Sequence, residues 1–385
     1  MDDQPITISL CMIVRNEENT IARCLDSVKG IPDEIVIVDT GSTDNTKKIV
    51  RLYTDRIYDF EWIDDFAAAR NFAFNQATMD YILWLDADDV LLEVDCQKFL
   101  DLKKNLAPFI DAVNMPYILS CDEFGVVTYS FRRNRLVKRS NNFRWIGAVH
   151  EYIEAYGQIL KSDICVTHKG TSKVSERNLR IFEKCQAKGT PFSPRDLYYY
   201  GNELFEHQLY HRAIEVYQKF LNTGQGWVED KLSACARLTD CFQQLGDKAK
   251  ELEYNLKSFE YANPRAESCC RLGYYFLRSE RYDQAAFWYS LATKLEKPDV
   301  WGPMLEACWT WLPHLQLCVC YDHLGKHELA YKHNEIARTF RTEDPQILHN
   351  KNYLETTFGL GRAEQEELDS EWFEKKVKED AIWWN

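Results

Sequence analysis

Short apolar runs alternate with amphipathic stretches along the first part of the chain. Ile6 to Val14, Glu34 to Val38, Arg56 to Phe60 and Tyr81 to Leu85 read as strands. The last of these has aromatic and aliphatic residues at alternating positions of both parities, the pattern of a strand covered on both faces. Between them lie helical spacings. Ile21, Leu25 and Val28 recur at i, i+4 and i+7 before Gly30, a second helix starts near Thr46, and a third carries Ala69, Arg70, Asn71 and Ala73. Strand and helix alternating in this way predict parallel βαβ units of a wound sheet. Such a sheet places ligands at the carboxyl ends of its strands. Those ends carry Val14-Arg15-Asn16-Glu17, Asp39-Thr40-Gly41-Ser42 and Asp86-Ala87-Asp88.

Farther on, Ala112 to Leu119 and Val126 to Arg132 alternate over longer stretches around Ser120-Cys121-Asp122-Glu123-Phe124-Gly125, as expected of antiparallel strands added to the sheet. Arg132, Arg133 and Arg135 belong to a basic run ending at Arg139, either a solvated face or a contact for phosphate or acceptor. Beyond Lys173 the strand signals stop. Tyr198, Gly201, Leu204, Ala213 and Tyr217 follow the helix–turn–helix spacing of a tetratricopeptide unit, and Leu272, Gly273, Phe276, Ala285 and Tyr289 repeat it. Leu232 to Pro264 and Leu312 to Pro345 fit further units, with Pro298 to Pro313 and its Trp301, Trp309 and Trp311 as an insertion. The expected partition is 1–172 for the α/β domain, 173–192 for a linker helix, 193–347 for the repeats and 348–385 for a helical tail. The tail is acidic at Glu364 to Glu367 and ends near Trp383 and Trp384, which we expect to dock on the first domain or on a second copy.

Composition narrows the picture. The 385 residues allow about two domains. A formal charge of −13 argues against a broad nucleic-acid or anionic-membrane surface. The opening Met1-Asp2-Asp3-Gln4-Pro5 lacks signal-peptide features and no run is apolar enough to span a bilayer, so the expected location is cytoplasmic. The thirteen cysteines contain no Cys-x-x-Cys pair, and buried free thiols are the expectation.

The carboxylates direct the chemistry. Asp86 and Asp88 flank a small residue, and a turn at Ala87 lets both face one hard cation and the phosphates it carries. Neither a P-loop nor a dinucleotide glycine pattern is present, so a bound nucleotide needs a metal on its pyrophosphate. The segments Met12 to Glu18, Val38 to Asp44 and Leu85 to Asp89, in this order and spacing, resemble those of family 2 glycosyltransferases. That resemblance covers roughly Ile6 to His168. It implies a GT-A fold, a Rossmann-like mixed sheet, and inverting transfer of a sugar from a nucleotide-sugar, with UDP the expected nucleotide. It further implies that Asp39 holds the nucleobase, Asp86 the ribose or a metal-bound water, and Asp88 a Mn²⁺ or Mg²⁺ ion on the diphosphate, with Arg70 beside the nucleotide.

An inverting transfer needs a base for the acceptor's proton. Glu151, in Phe143-Arg144-Trp145-Ile146-Gly147-Ala148-Val149-His150-Glu151, is the candidate, partly desolvated by Trp145; Asp122 and Glu123 are its rivals. The His-Glu step is similar to that of lipopolysaccharide-core and peptide-modifying branches of the family. Their further histidine is matched by His168, which would complete the metal shell or touch the diphosphate. His150 and His168 can equally be hydrogen-bonded residues near strand ends.

The leading expectation is therefore a metal-dependent hexosyltransferase with a peptide or protein acceptor held by the repeats, which could also build a homodimer. A surface-polysaccharide or lipid-linked acceptor is the alternative enzyme. A non-catalytic repeat scaffold and a nucleotidyltransferase are the readings from other classes.

Overall fold

The computed structural model describes residues 5–122, 125, 127–170, 175–298, 300, 302 and 304–361. Glu123, Trp301 and the tail from Glu364 to Trp384 lie outside the described residues. The chain divides into two compact units, one of residues 1–263 with 299–305 and the other of 264–298 with 306–385.

The first unit opens with β1 (Ile8–Val14), α1 (Ile21–Ser27), β2 (Glu34–Asp39), α2 (Thr46–Val50), β3 (Ile57–Asp59), α3 (Phe66–Asn75) and β4 (Tyr81–Trp84). The alternation expected from sequence is present: β1 pairs in parallel with β2 and β4, and β2 with β3. Then come β5 (Asp89–Val90), α4 (Glu93–Asn105), β6 (Ala112–Cys121), β7 (Val127–Lys138), β8 (Trp145–Ile146), β9 (Tyr152–Ile153), β10 (Ile159–Lys161) and β11 (Val166–His168). The main sheet runs β3-β2-β1-β4-β7-β6-β11-β5, with β7 antiparallel to both of its neighbours. It is mixed, and β1 and β4 sit at its centre. Their side chains are buried on both faces: Leu10 and Leu83 join one apolar cluster, Cys11 and Trp84 the other.

Strand β7 is longer than the sequence suggests and takes in Arg132, Arg133 and Arg135. From Arg132 to Arg135 the basic run is therefore not a solvated face, although Arg139 at its end is exposed. Arg135 is fully buried, its guanidinium 2.9 Å from Asp89 and stacked 3.9 Å above the Trp84 ring. A strand in mid-sheet has no solvent side at this depth, so this charge is kept only with a carboxylate and an aromatic face beside it.

Helices α5 (Glu176–Ala187), α6 (Pro194–Glu206), α7 (Tyr210–Asn222), α8 (Val228–Gln244) and α9 (Lys248–Lys257) complete the first unit. Helix α6 begins with Pro194 in its first turn and a reciprocal Ser193–Asp196 cap. Gly201 lets α7 approach, because a Cβ there would meet the Tyr217 ring at 2.6 Å.

The second unit holds α10 (Ala266–Leu277), α11 (Tyr282–Ala292), α12 (Glu306–Trp309), α13 (Trp311–His323), α14 (His327–Phe340) and α15 (Pro345–Phe358). A two-residue strand, β12 (Met304–Leu305), belongs to the first unit and pairs with β7. Gly273 repeats the role of Gly201, since a Cβ there would meet the Tyr289 ring at 2.7 Å. The recurring glycine–tyrosine contact is the physical content of the tetratricopeptide-like spacing. All thirteen cysteines are free, and Cys11, Cys24, Cys235, Cys241, Cys269 and Cys320 are among those buried. Among the described residues no helix is long and apolar enough to cross a membrane.

Candidate active site

A cavity of about 310 Å³ opens at the carboxyl ends of β1, β2 and β4 in the first unit. Its wall includes Val14, Arg15, Glu17, Arg70, Asp86, Ala87, Asp88, His150, Glu151 and His168 from the sequence-derived candidates.

The floor is set by the Asp86-Ala87-Asp88-Asp89 turn, in which the three carboxylates take different surroundings. Asp86 accepts from Arg70 Nη2 at 2.6 Å and is partly open to the cavity. Burial alone would raise its pKa, but Arg70 and then Arg135 more than reverse this and hold it at about 2. Asp88 faces His168, whose Nδ1 is 3.5 Å from Oδ1. Asp89 points inward to Arg135, accepts from the Tyr117 hydroxyl at 2.8 Å, and receives the Asp86 backbone N–H at 3.0 Å. It thus closes the turn, and burial pushes its own pKa up.

Because the Tyr117 proton is committed to Asp89, the 3.2 Å contact between Tyr117 and His168 assigns the hydrogen to His168 Nδ1. The Nε2 lone pair remains available. The bond to Asp88 raises the His168 pKa, against the opposing effect of burial. Side-chain atoms of Asp88, Asp89 and His168 lie within 4.8 Å of one another, a donor set of the kind that holds a hard or borderline cation. Gly170 keeps that space clear: a Cβ there would run into Asp88 and come within 2.6 Å of the His168 ring.

Arg70 is the hinge of the electrostatics. Its Nε donates to Glu151 at 2.5 Å while Nη2 holds Asp86, and its guanidinium lies 5.0 Å from the Trp84 ring and 4.7 Å from the Trp145 ring. Helix α3 presents it because Asp65 caps the helix start, accepting from Ala68 N at 2.9 Å. Glu151 is buried and paired with Arg70.

Around the β2 end, Asp39 Oδ1 accepts from the backbone of Gly41 and Ser42 at 2.9 Å each, while Oδ2 is buried with no hydrogen-bond partner. Gly41 takes φ +103, a conformation this turn requires of a glycine. Asn16, at φ +57, accepts from Thr43 N, and its own N–H donates to Ser42, so the β1 and β2 ends are laced together. Asn16, Asp39, Gly41 and Ser42 support the cavity rim rather than line it.

Three candidates are not brought to the cavity. Trp145 is buried against Trp84 and Phe74 beneath Arg70. Arg135 lies one layer deeper. Asp122, at the far end of β6, is absent from the cavity wall. Conversely, Tyr117, Arg177, Asn178, Trp62 and Phe66 line it, although the sequence does not single them out as site residues, and Arg133 joins them from the basic run. Arg133 was within reach: it sits two positions from Arg135 on one strand, and so on the same face. Arg177 and Asn178 could not be found, since nothing local in sequence says that α5 returns to the sheet.

The chain is similar to several known proteins. Residues 9–162 match the model of glycosyl transferase family 2, and this N-terminal part of the chain is a domain of that family. A TPR repeat-containing protein of Synechococcus elongatus is 37% identical over 147 residues, which cover 38% of this chain and 35% of that one. The SPbeta prophage-derived glycosyltransferase SunS of Bacillus subtilis is 30% identical over 230 residues, 56% of this chain and 53% of that one. The chain therefore spans about a third to a half of these relatives. Among solved structures, the TPR protein YrrB aligns with a TM-score of 0.35 at 17% identity over 46% of this chain and 83% of that one.

Proposed function

We propose that the protein is an inverting, metal-dependent glycosyltransferase that moves a hexosyl group from a UDP-sugar to a peptide or protein acceptor in the cytoplasm. The observation that carries this reading is the meeting of Asp86, Asp88, Arg70, Glu151 and His168 in one cavity at the strand ends of a family 2 domain. The donor set fits a divalent cation: Asp88 and the His168 Nε2 lone pair would hold it, and when bound it neutralises the diphosphate leaving group. The unpartnered Asp39 Oδ2 fits a nucleobase N–H, since a buried carboxylate oxygen gains most from a donor that only a ligand supplies. Arg133 and Arg177 add positive charge to the cavity wall, which suits a diphosphate. The tetratricopeptide-like helical hairpins downstream are of a type that takes peptides, which supports the choice of acceptor.

The test is nucleotide release from a panel of UDP-glucose, UDP-N-acetylglucosamine, UDP-galactose and GDP-mannose with Mn²⁺. Release from a UDP-sugar, abolished by EDTA and restored by Mn²⁺, is the expected result. No release from any donor, with UDP also failing to bind in calorimetry, overturns the reading and favours a scaffold.

A further inference from the structure

We infer that His150, oriented by Glu203, takes the proton from the acceptor nucleophile, and that Glu151 instead holds Arg70 in place. This rests on the transferase reading above and refines it. The residue put forward from sequence as the base has its Oε1 on the Arg70 guanidinium. Taking up a proton would neutralise one of the two carboxylates that balance that buried cation.

His150 is free of that constraint and is held with unusual care. Its backbone is left-handed at φ +52, one of few non-glycine residues so placed, and its carbonyl accepts from Arg195 at 3.1 Å. The ring stacks on Tyr199 with centroids 4.3 Å apart and planes 16° apart. Arg195 in turn donates to the Tyr199 hydroxyl and covers that ring at 4.6 Å. Nε2 meets Glu203 Oε1 at 2.7 Å, and Asn178 Nδ2 donates to the same oxygen at 3.1 Å. An ionised carboxylate only accepts, so Nε2 carries the hydrogen and Nδ1 keeps its lone pair. That nitrogen has no hydrogen-bond partner among the described residues, and His150 lines the cavity beside Glu151.

A carboxylate behind an imidazole that lines a cavity fixes the tautomer and stabilises the imidazolium that forms on proton transfer. In the transfer step the nucleophile's lone pair forms the bond to the anomeric carbon. The bond from that carbon to the diphosphate oxygen breaks, and its electron pair leaves with the diphosphate. The nucleophile's proton passes to His150 Nδ1 and from there to water. Glu203 acts as a positioning residue. The left-handed backbone at His150 is the strain that this placement costs, supported by the contacts of α5 and α6.

The experiment compares the native protein with H150Q, E203Q and E151Q, measuring nucleotide release from the donor panel with Mn²⁺ and UDP affinity by calorimetry. H150Q is expected to lower kcat about 10²–10³-fold with UDP affinity unchanged. E203Q should lower kcat about 10-fold or more while leaving the donor KM in place, a split that a merely structural contact does not give. Independently of turnover, ¹⁵N NMR of the native protein should show His150 as the Nε2–H tautomer, and E203Q should erode that preference. Native kcat in H150Q, or an Nδ1–H tautomer in the native protein, overturns the inference while nucleotide release upholds the transferase reading. Absence of release by the native protein overturns both.

Discussion

Beneath the cavity the buried contacts are charged, whereas inside the helical hairpins they are a glycine laid against a tyrosine ring. Arg135 and Asp89 are both fully buried, and Arg70 spans Asp86 and Glu151 over two tryptophans. Gly201 against Tyr217 and Gly273 against Tyr289 involve no charge at all. The difference teaches what each interior is for. Buried ion pairs seldom add net stability, because desolvation offsets most of their attraction, yet they fix side chains in one arrangement. A site that must face phosphate charge benefits from that arrangement. The hairpins need only close approach, which a missing side chain gives without any polar group to satisfy.

The strongest way to break this contrast is Arg135→Met. It leaves Asp89 as an uncompensated buried charge, and the first unit should lose about 3–5 kcal/mol in a urea melt. Adding Asp89→Asn should recover much of the loss; an equal loss in the double variant would mean that the two residues are not coupled. Next, Asp88→Ala should lower nucleotide release about 10²–10³-fold and make UDP affinity insensitive to Mn²⁺. A full Mn²⁺ response in that variant would remove Asp88 from the metal site.

Smaller effects test the apolar side. Gly201→Ala and Gly273→Ala each gain about 1 kcal/mol of helix propensity, but overpacking against a buried ring costs about 1–3 kcal/mol. The expected net loss is about 1 kcal/mol for each, measured by thermal melting; stabilisation of either would show that the ring moves aside. The last test is one of pH. His314 and His333 meet through their Nδ1 atoms at 2.9 Å, and burial lowers their pKa to about 4 and about 3, with His314 adding to the effect on His333. Unfolded histidine titrates near 6.5. Between about pH 6.5 and 4 the unfolded chain therefore binds more protons, so the stabilising contribution present above 6.5 is lost as pH falls through that window. A denaturant midpoint for the second unit that stays flat from pH 7 to 4 would contradict the pairing.

The alternation of β1 to β4 is readable because each strand is a bounded apolar run and each helix has its own turn residues. The Asp86-Ala87-Asp88 turn is readable for the same reason: a run buried on both faces ends abruptly in carboxylates. Arg135 is easily misread because a charge in an alternating segment looks like a solvent-facing position until its partner, Asp89, is known to lie opposite. The pairing of Glu151 with Arg70 and of His150 with Glu203 depends on separations of 81 and 53 residues, which no local pattern encodes.

The free thiols offer a built-in clock for how the chain comes apart. Cys11 lies on β1 and Cys24 on α1 in the first unit, Cys269 and Cys320 lie on helices of the second, and Cys121 is exposed. Burial raises the pKa of each of the four enclosed thiols, so alkylating reagents reach them as thiolates only after their surroundings open. Mass spectrometry of timed alkylation would give separate opening rates for the two halves from unaltered protein, with Cys121 as the internal standard.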